Sequence, residues 1–173
     1  MIRMRLRLIF VSLLTLAASG WAAATEPSGY LMAQSLVSGV STEGAFALVD
    51  KNQAAPLLVA DDDWPGVRRA AGDLQADIER VTGRQPTLGA KAAGHVVIIG
   101  TVGKSALIDG LVAAGKLDVA AIRGKWEAFV IETVERPMPG VERALVVAGS
   151  DKRGTIYGIY EISGQIGVSP WYW

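Results

Sequence analysis

Seven residues near the middle of the chain, His95-Val-Val-Ile-Ile-Gly-Thr101, limit the fold more than any other stretch. Four consecutive β-branched side chains, Val96 to Ile99, are stiff at χ1 and favour an extended backbone. An extended run that is apolar on both faces must be covered on both, as a central strand of an α/β sheet is. The neighbouring segments can supply the covers. Val67, Ala70, Ala71, Leu74, Ile78 and Val81 recur at helical spacing between Trp64-Pro65 and Gly83. That spacing predicts an amphipathic helix with Pro in its first turn and Gly just past its end. Further helices are expected over residues 104–117, where Gly110 and Gly115 weaken the pattern, and over 155–166.

Residues 45–50 and 57–60 read as two short strands around the polar turn Lys51-Asn52-Gln53. Residues 126–134 read as a longer strand. Its Trp126, Ala128, Val130 and Glu132 share one face, and Glu127, Phe129, Ile131 and Thr133 the other. Pro137-Met-Pro-Gly140 makes a turn, and residues 144–149 pair back. The order ββαβαββα predicts an α/β domain, a two-layer or sandwiched α+β arrangement with a small mixed sheet and about three helices. It would occupy residues 45–168 as one unit without internal repeats.

The two ends read differently. Arg3, Arg5 and Arg7 precede the uncharged apolar run 8–18, and Ala22-Ala23-Ala24 follows with small residues. Positive, then apolar, then small is the order of a secretory signal peptide, here residues 1–24. The apolar run is shorter than the roughly 20 residues a bilayer span requires. Residues 25–44, rich in Ser, Gly, Thr and Ala, form a flexible leader. Cleavage after Ala24 removes three of the 17 basic residues and none of the 17 acidic ones, leaving a formal charge of −3. Nucleic acid is therefore not an expected partner, since it calls for a basic stripe. No membrane contact is expected after cleavage either. The chain has no Cys, which excludes cysteine-based metal or nucleophile chemistry. The expected location is periplasmic or extracellular.

Few patterns carry chemistry. Gly100-Thr-Val-Gly-Lys-Ser105 looks like a phosphate loop, but that motif needs Gly where this chain has Ile98, so a plain strand-to-helix turn is expected. Asp61, Asp62 and Asp63 could hold a hard cation, yet they read better as a solvated helix start. A lone His95 makes no metal site. No pair of carboxylates can be brought together from sequence, so no catalytic residue, metal ligand or cofactor is assigned. At the carboxyl end, Gly149-Ser-Asp-Lys-Arg-Gly154 joins a strand to a helix. Gly154, Gly158 and Gly164 on that helix point to a close neighbour, because a helical Gly costs about 1 kcal/mol relative to Ala. Trp171-Tyr172-Trp173 end the chain, as residues that pack against a following domain or, less simply, as a sugar-stacking platform.

Residues 149–173, GSDKRGTIYGIYEISGQIGVSPWYW, resemble the junction after the amino-terminal domain of glycoside hydrolase family 115. IIGTVGKSALIDGLVAAGKLD (98–118) and IRGKWEAFVIETV (122–134) resemble the same family in the same order. The family's members are xylan α-1,2-glucuronidases that release glucuronic acid or its 4-O-methyl form from glucuronoxylan with inversion. The resemblance implies a small accessory domain ahead of a (β/α)8 catalytic barrel, with residues 169–173 opening the linker to it. It also implies that acid and base lie in the barrel, that this portion alone is inactive, and that it packs against the catalytic domain. Asp151, Lys152, Arg153 and Glu161 are then the candidates for substrate-pocket or interdomain contacts. An Arg at such a place suits a uronate carboxylate, and the simpler role for Lys152 and Arg153 is interdomain ion pairing. The competing reading is a free-standing periplasmic α/β module that binds a ligand or partner. A hexosaminidase-type enzyme is a third, disfavoured by GKWEAFVIETV and SPWYW.

Overall fold

The computed structural model describes residues 37–39, 44–89 and 93–168. The expected signal peptide, almost all of the leader, and the linker with Trp171 and Trp173 lie outside the described residues.

Strands β1 (Val49–Asp50) and β2 (Gln53–Ala54) form a separate antiparallel hairpin. Lys51 and Asn52 turn it with φ of 44° and 68°, the left-handed pair a two-residue hairpin needs. The expected strand over 45–50 therefore shrinks to two residues outside the main sheet. Next come β3 (Leu57–Val59), α1 (Pro65–Thr82), β4 (Leu88–Gly89), β5 (Gly94–Thr101), α2 (Ala106–Ala113), β6 (Phe129–Glu135), β7 (Val141–Gly149) and α3 (Lys152–Gln165). The main sheet has the order β4-β3-β5-β7-β6. Its first four strands are parallel and β6 is antiparallel to β7. This is the expected α/β class with a mixed sheet and three helices.

β5 lies at the centre, and Val96 to Ile99 are wholly buried. The period of two along a strand sends Val97 and Ile99 to one face, where they meet Val67, Ala71, Leu74 and Ile78 of α1 and Ile159 and Ile162 of α3. Val96 and Ile98 go to the other face and meet Ile108 and Leu111 of α2, with Leu117, Val119 and Ile122 beyond it. The domain is thus a three-layer α/β/α sandwich, with two helices on one side and one on the other.

Several boundaries move for physical reasons. Val81 is 47 % exposed, although its spacing placed it on the buried face of α1. An 18-residue helix is about 27 Å long, so its last turn runs past the three-residue β3. Gly83, with φ 69°, ends that helix as expected. α2 covers only 106–113 of the expected 104–117, because Gly115 turns left-handed at φ 64°. β6 starts at Phe129 rather than 126, since Glu127 at φ 56° breaks the extended run and leaves Trp126 88 % exposed. Within β6 the expected alternation holds, with Ile131 on the α1–α3 side and Val130 and Val134 on the α2 side. β7 begins at Val141, three residues early, directly after the turn closed by Val141 N–H to Met138 O at 3.1 Å.

The glycines of α3 are explained within the domain. A Cβ on Gly154 would lie 2.3 Å from the Ala128 carbonyl oxygen, and one on Gly158 2.8 Å from Val147 Cγ1. The close neighbour is thus the β6–β7 side of the domain's own sheet. Gly164 has nothing within 4 Å, so its presence is not explained this way.

Candidate functional site

The carboxyl ends of β3, β5 and β7 reach the same edge of the sheet. From there the chain leaves β3 and β7 towards the α1–α3 face, and leaves β5 towards α2 on the opposite face. Where neighbouring strands send their connections to opposite faces, the loops part and leave a crevice, the usual place for a ligand in an open α/β sheet. An open cleft of about 390 Å³ lies there. Trp64 lines it from the β3–α1 loop, Thr101 to Lys104 from the β5–α2 loop, and Ser150, Asp151 and Lys152 from the β7–α3 junction.

A buried polar network ties these loops together. Asp63 is only 3 % exposed. Its carboxylate accepts from Trp64 N–H at 2.6 Å, Thr101 N–H at 2.7 Å and Thr101 Oγ1 at 2.9 Å. A carboxylate only accepts, so the Thr101 hydroxyl spends its single proton on Asp63. Thr155 then has its one proton to give, with Thr101 Oγ1 at 2.8 Å and the Asp151 carbonyl oxygen at 3.0 Å as alternative acceptors for it. Three side chains and three backbone groups from the three strand-to-helix junctions are held at fixed spacing under the cleft. From sequence, Asp63 is expected in solvent beside Asp61 and Asp62. Those two are exposed, but Asp63 is turned inward because the amide and hydroxyl of Thr101 need an acceptor.

Asp151 is the N-cap of α3. Its Oδ1 accepts from Gly154 N–H at 2.7 Å and its Oδ2 from Glu127 N–H at 3.0 Å. The Glu127 amide first, and the Gly154 amide next, hold its carboxyl below the usual carboxylate value. Both oxygens thus serve the fold, fastening the left-handed residue ahead of β6 to the start of α3. Arg153 pairs with Glu127 Oε1 at 3.0 Å and donates to Tyr157 Oη at 2.8 Å. The Tyr157 hydrogen bond first, then the Glu127 charge, raise its already high pKa. Lys152 is exposed at the cleft rim. Glu161 lies ten residues along α3 from Asp151, about 15 Å at helical rise, and accepts from Gln165 Nε2 at 2.9 Å. Asp151, Lys152 and Arg153 therefore cluster at the edge, and Glu161 stands apart from them.

Two site features are not legible in the sequence. Lys104 Nζ sits 5.2 Å from the centroid of the Trp64 ring, a cation–π contact joining two loops. Trp126 projects from the segment that Asp151 fastens. The signals were present, as an aromatic just ahead of Pro65 and a Lys after Gly103, but only the fold brings Trp64 and Lys104 together. Of the carboxylates around the edge, Asp109 caps Gly103 N–H at 2.8 Å, while Asp63, Asp151 and Glu127 are engaged as described. Binding groups are on offer here: two ammonium groups, an indole and the Ser150 hydroxyl. No group of three or more His, Cys, Asp or Glu side chains suited to a metal ion occurs among the described residues. His95 sits exposed at the far end of β5, 3.8 Å from Glu142.

No protein-family model matches the chain, and no curated protein does. Among solved structures it is similar to a family GH115 4-O-methyl-α-glucuronidase with specificity for decorated arabinogalactans. The identity is 33 % and the TM-score 0.59, over 72 % of this chain and 15 % of that one. The α/β unit is thus a GH115-like domain, and it spans a small part of the length of the glycoside hydrolase it resembles.

Proposed function

We propose that the chain is the amino-terminal accessory portion of an exported glycoside hydrolase that releases (4-O-methyl-)glucuronic acid from a decorated polysaccharide by inverting hydrolysis. The observation carrying this reading is the likeness to the GH115 glucuronidase in both sequence and fold over most of this chain. Inversion needs two carboxyl groups roughly 6.5–9.5 Å apart with a water between them. The carboxylates at the cleft are committed to backbone amides or to Arg153, which supports an accessory role, with acid and base elsewhere in the parent. Glucuronoxylan is the polymer that the sequence resemblance implies, whereas the neighbour's named specificity is for decorated arabinogalactans. The glucuronosyl group is common to both.

The deciding experiment measures glucuronic acid release from glucuronoxylan and from a glucuronosylated arabinogalactan. It compares the 173-residue chain with the full reading frame of its locus. Release by the longer polypeptide alone is the expected result. Release by the 173 residues would overturn the accessory reading, and a longer polypeptide inactive on both polymers would overturn the glucuronidase assignment.

A further inference from the structure

We propose that the cleft at the carboxyl edge of the sheet is a non-catalytic binding site for a uronic acid residue, with Lys104 and Lys152 on its carboxylate and Trp64 against its ring. The choice of a sugar acid rests on the glucuronidase reading above, while the anion-binding character rests on this domain's own residues.

Three observations meet at the cleft. The first is charge. Neither Lys104 nor Lys152 has an ion-pair partner among the described residues, although Arg80, Arg143 and Arg153 all have one. Lys104 is held by the Trp64 ring instead. A ring quadrupole attracts an ammonium without neutralising it, so its charge stays available to an anion. The acid in the lining, Asp151, makes no ion pair with either lysine, its two oxygens accepting from the Glu127 and Gly154 amides instead. The second is shape. The cleft is open, about 390 Å³, which suits one pyranose ring at a chain end or along a polymer rather than an enclosed ligand. The third is order. The Asp63–Thr101–Thr155 network ties together the strand ends whose loops carry Trp64, Lys104 and Lys152, so little loop freedom is lost when a ligand arrives.

Arg153, the residue that sequence offered for a uronate, is occupied by Glu127 and Tyr157, and two lysines take its place. The inference assigns the domain a substrate-holding task separate from bond cleavage.

The test uses amide chemical-shift mapping on the 173-residue chain, titrated separately with methyl glucuronide, methyl glucoside, acetate and inorganic phosphate. Saturable shifts confined to residues 101–104 and 150–152 are expected with the glucuronide. Binding of the glucoside and of acetate should be about tenfold weaker, the loss expected on removing a charge-assisted contact or the ring. Lys104→Met keeps the apolar stem on Trp64, and Lys152→Gln changes an exposed helix position. Each should weaken the glucuronide about tenfold with the rest of the spectrum unchanged. Equal binding of acetate and glucuronide, tighter binding of phosphate, or lysine variants that titrate like the parent would each overturn the proposal. None of these outcomes touches the hydrolase reading, which stands or falls on release by the longer polypeptide.

Discussion

Three glycines on one helix separate intrinsic helix propensity from tertiary fit. Replacing Gly by Ala inside a helix gains up to about 1 kcal/mol from propensity alone. At Gly164 nothing lies within 4 Å of the new methyl, so Gly164→Ala should stabilise by about 0.5–1 kcal/mol. At Gly154 the methyl would stand 2.3 Å from the Ala128 carbonyl oxygen. A tolerable C···O contact is about 3.3 Å, so about 1 Å must be found. Ala128 cannot yield it freely, because its oxygen accepts from Ser150 N–H at 2.8 Å and its own N–H donates to Ser150 Oγ at 3.1 Å. Overpacking of this kind costs about 1–3 kcal/mol, and loosening a backbone hydrogen bond adds about 1 kcal/mol. With the propensity gain of up to about 1 kcal/mol set against these costs, the net expectation for Gly154→Ala is a loss of about 1–3 kcal/mol against a total of about 5–15. Gly158→Ala should fall between, since its obstacles are the Val147 methyl at 2.8 Å and the Phe129 ring at 3.2 Å, which can shift. Urea unfolding followed by far-UV circular dichroism reads all three. With m near 2 kcal/mol/M, the Gly154→Ala midpoint should drop by about 1 M and that of Gly164→Ala should rise slightly. A Gly154→Ala protein as stable as the parent would refute the close approach of α3 to the β6 start and the packing built on it.

Asp63→Ala strands the buried amide and hydroxyl of Thr101 and the part-buried amide of Trp64, so the same unfolding assay should show a loss of about 3 kcal/mol or more, and a loss under about 1 would remove the network from the account of the cleft. Asp151 titrates below its ordinary 3.8 in the folded chain. A depressed value means that its stabilising effect is present above the unfolded pKa, about 3.9, and is lost as pH falls through the folded one. The stability advantage of the parent over Asp151→Asn should therefore be level above about pH 5 and shrink in acid. An advantage that grows in acid would contradict the capping geometry. Tyr160 is held above its ordinary 10.0, first by burial and then by the hydrogen bond it donates to Asp73 at 2.9 Å. Its favourable contribution is present at neutral pH and lost as pH rises through the raised value. Ultraviolet titration should show Asp73→Asn bringing one phenol down in pKa, and an unchanged curve would separate that pair.

Legibility from sequence followed the range of the interaction that forms each element. β5 was readable because burial on both faces writes four apolar residues in a row, and α1 because one covered face writes a 3.6 period. β4 and the β1–β2 hairpin are two-residue elements, too short for any period, and they exist only because a neighbouring strand offers hydrogen-bond partners. α2 and β6 were placed correctly but drawn too long, since Gly115 and Glu127 adopt left-handed backbones that composition alone does not announce. The cleft shows the same division more sharply. The strand-to-helix junction at Asp151 was visible locally, as an acid three residues ahead of a Gly at a helix start. Its second bond, to Glu127, spans 24 residues, and the Asp63–Thr101 bonds span 38. Three consecutive aspartates look equivalent in sequence, and only the inner one meets an amide and a hydroxyl that lack another acceptor. A buried acid at the end of a strand therefore cannot be told from a solvated one until the neighbouring strand end is known. The pairing of Lys104 with Trp64 is hidden for the same reason, since two loops forty residues apart are juxtaposed only once β3 and β5 are side by side. The side chains that meet at this cleft thus arise from sheet order more than from any motif, which is why the sequence reaches Asp151 and Lys152 at the junction but not Trp64 and Lys104.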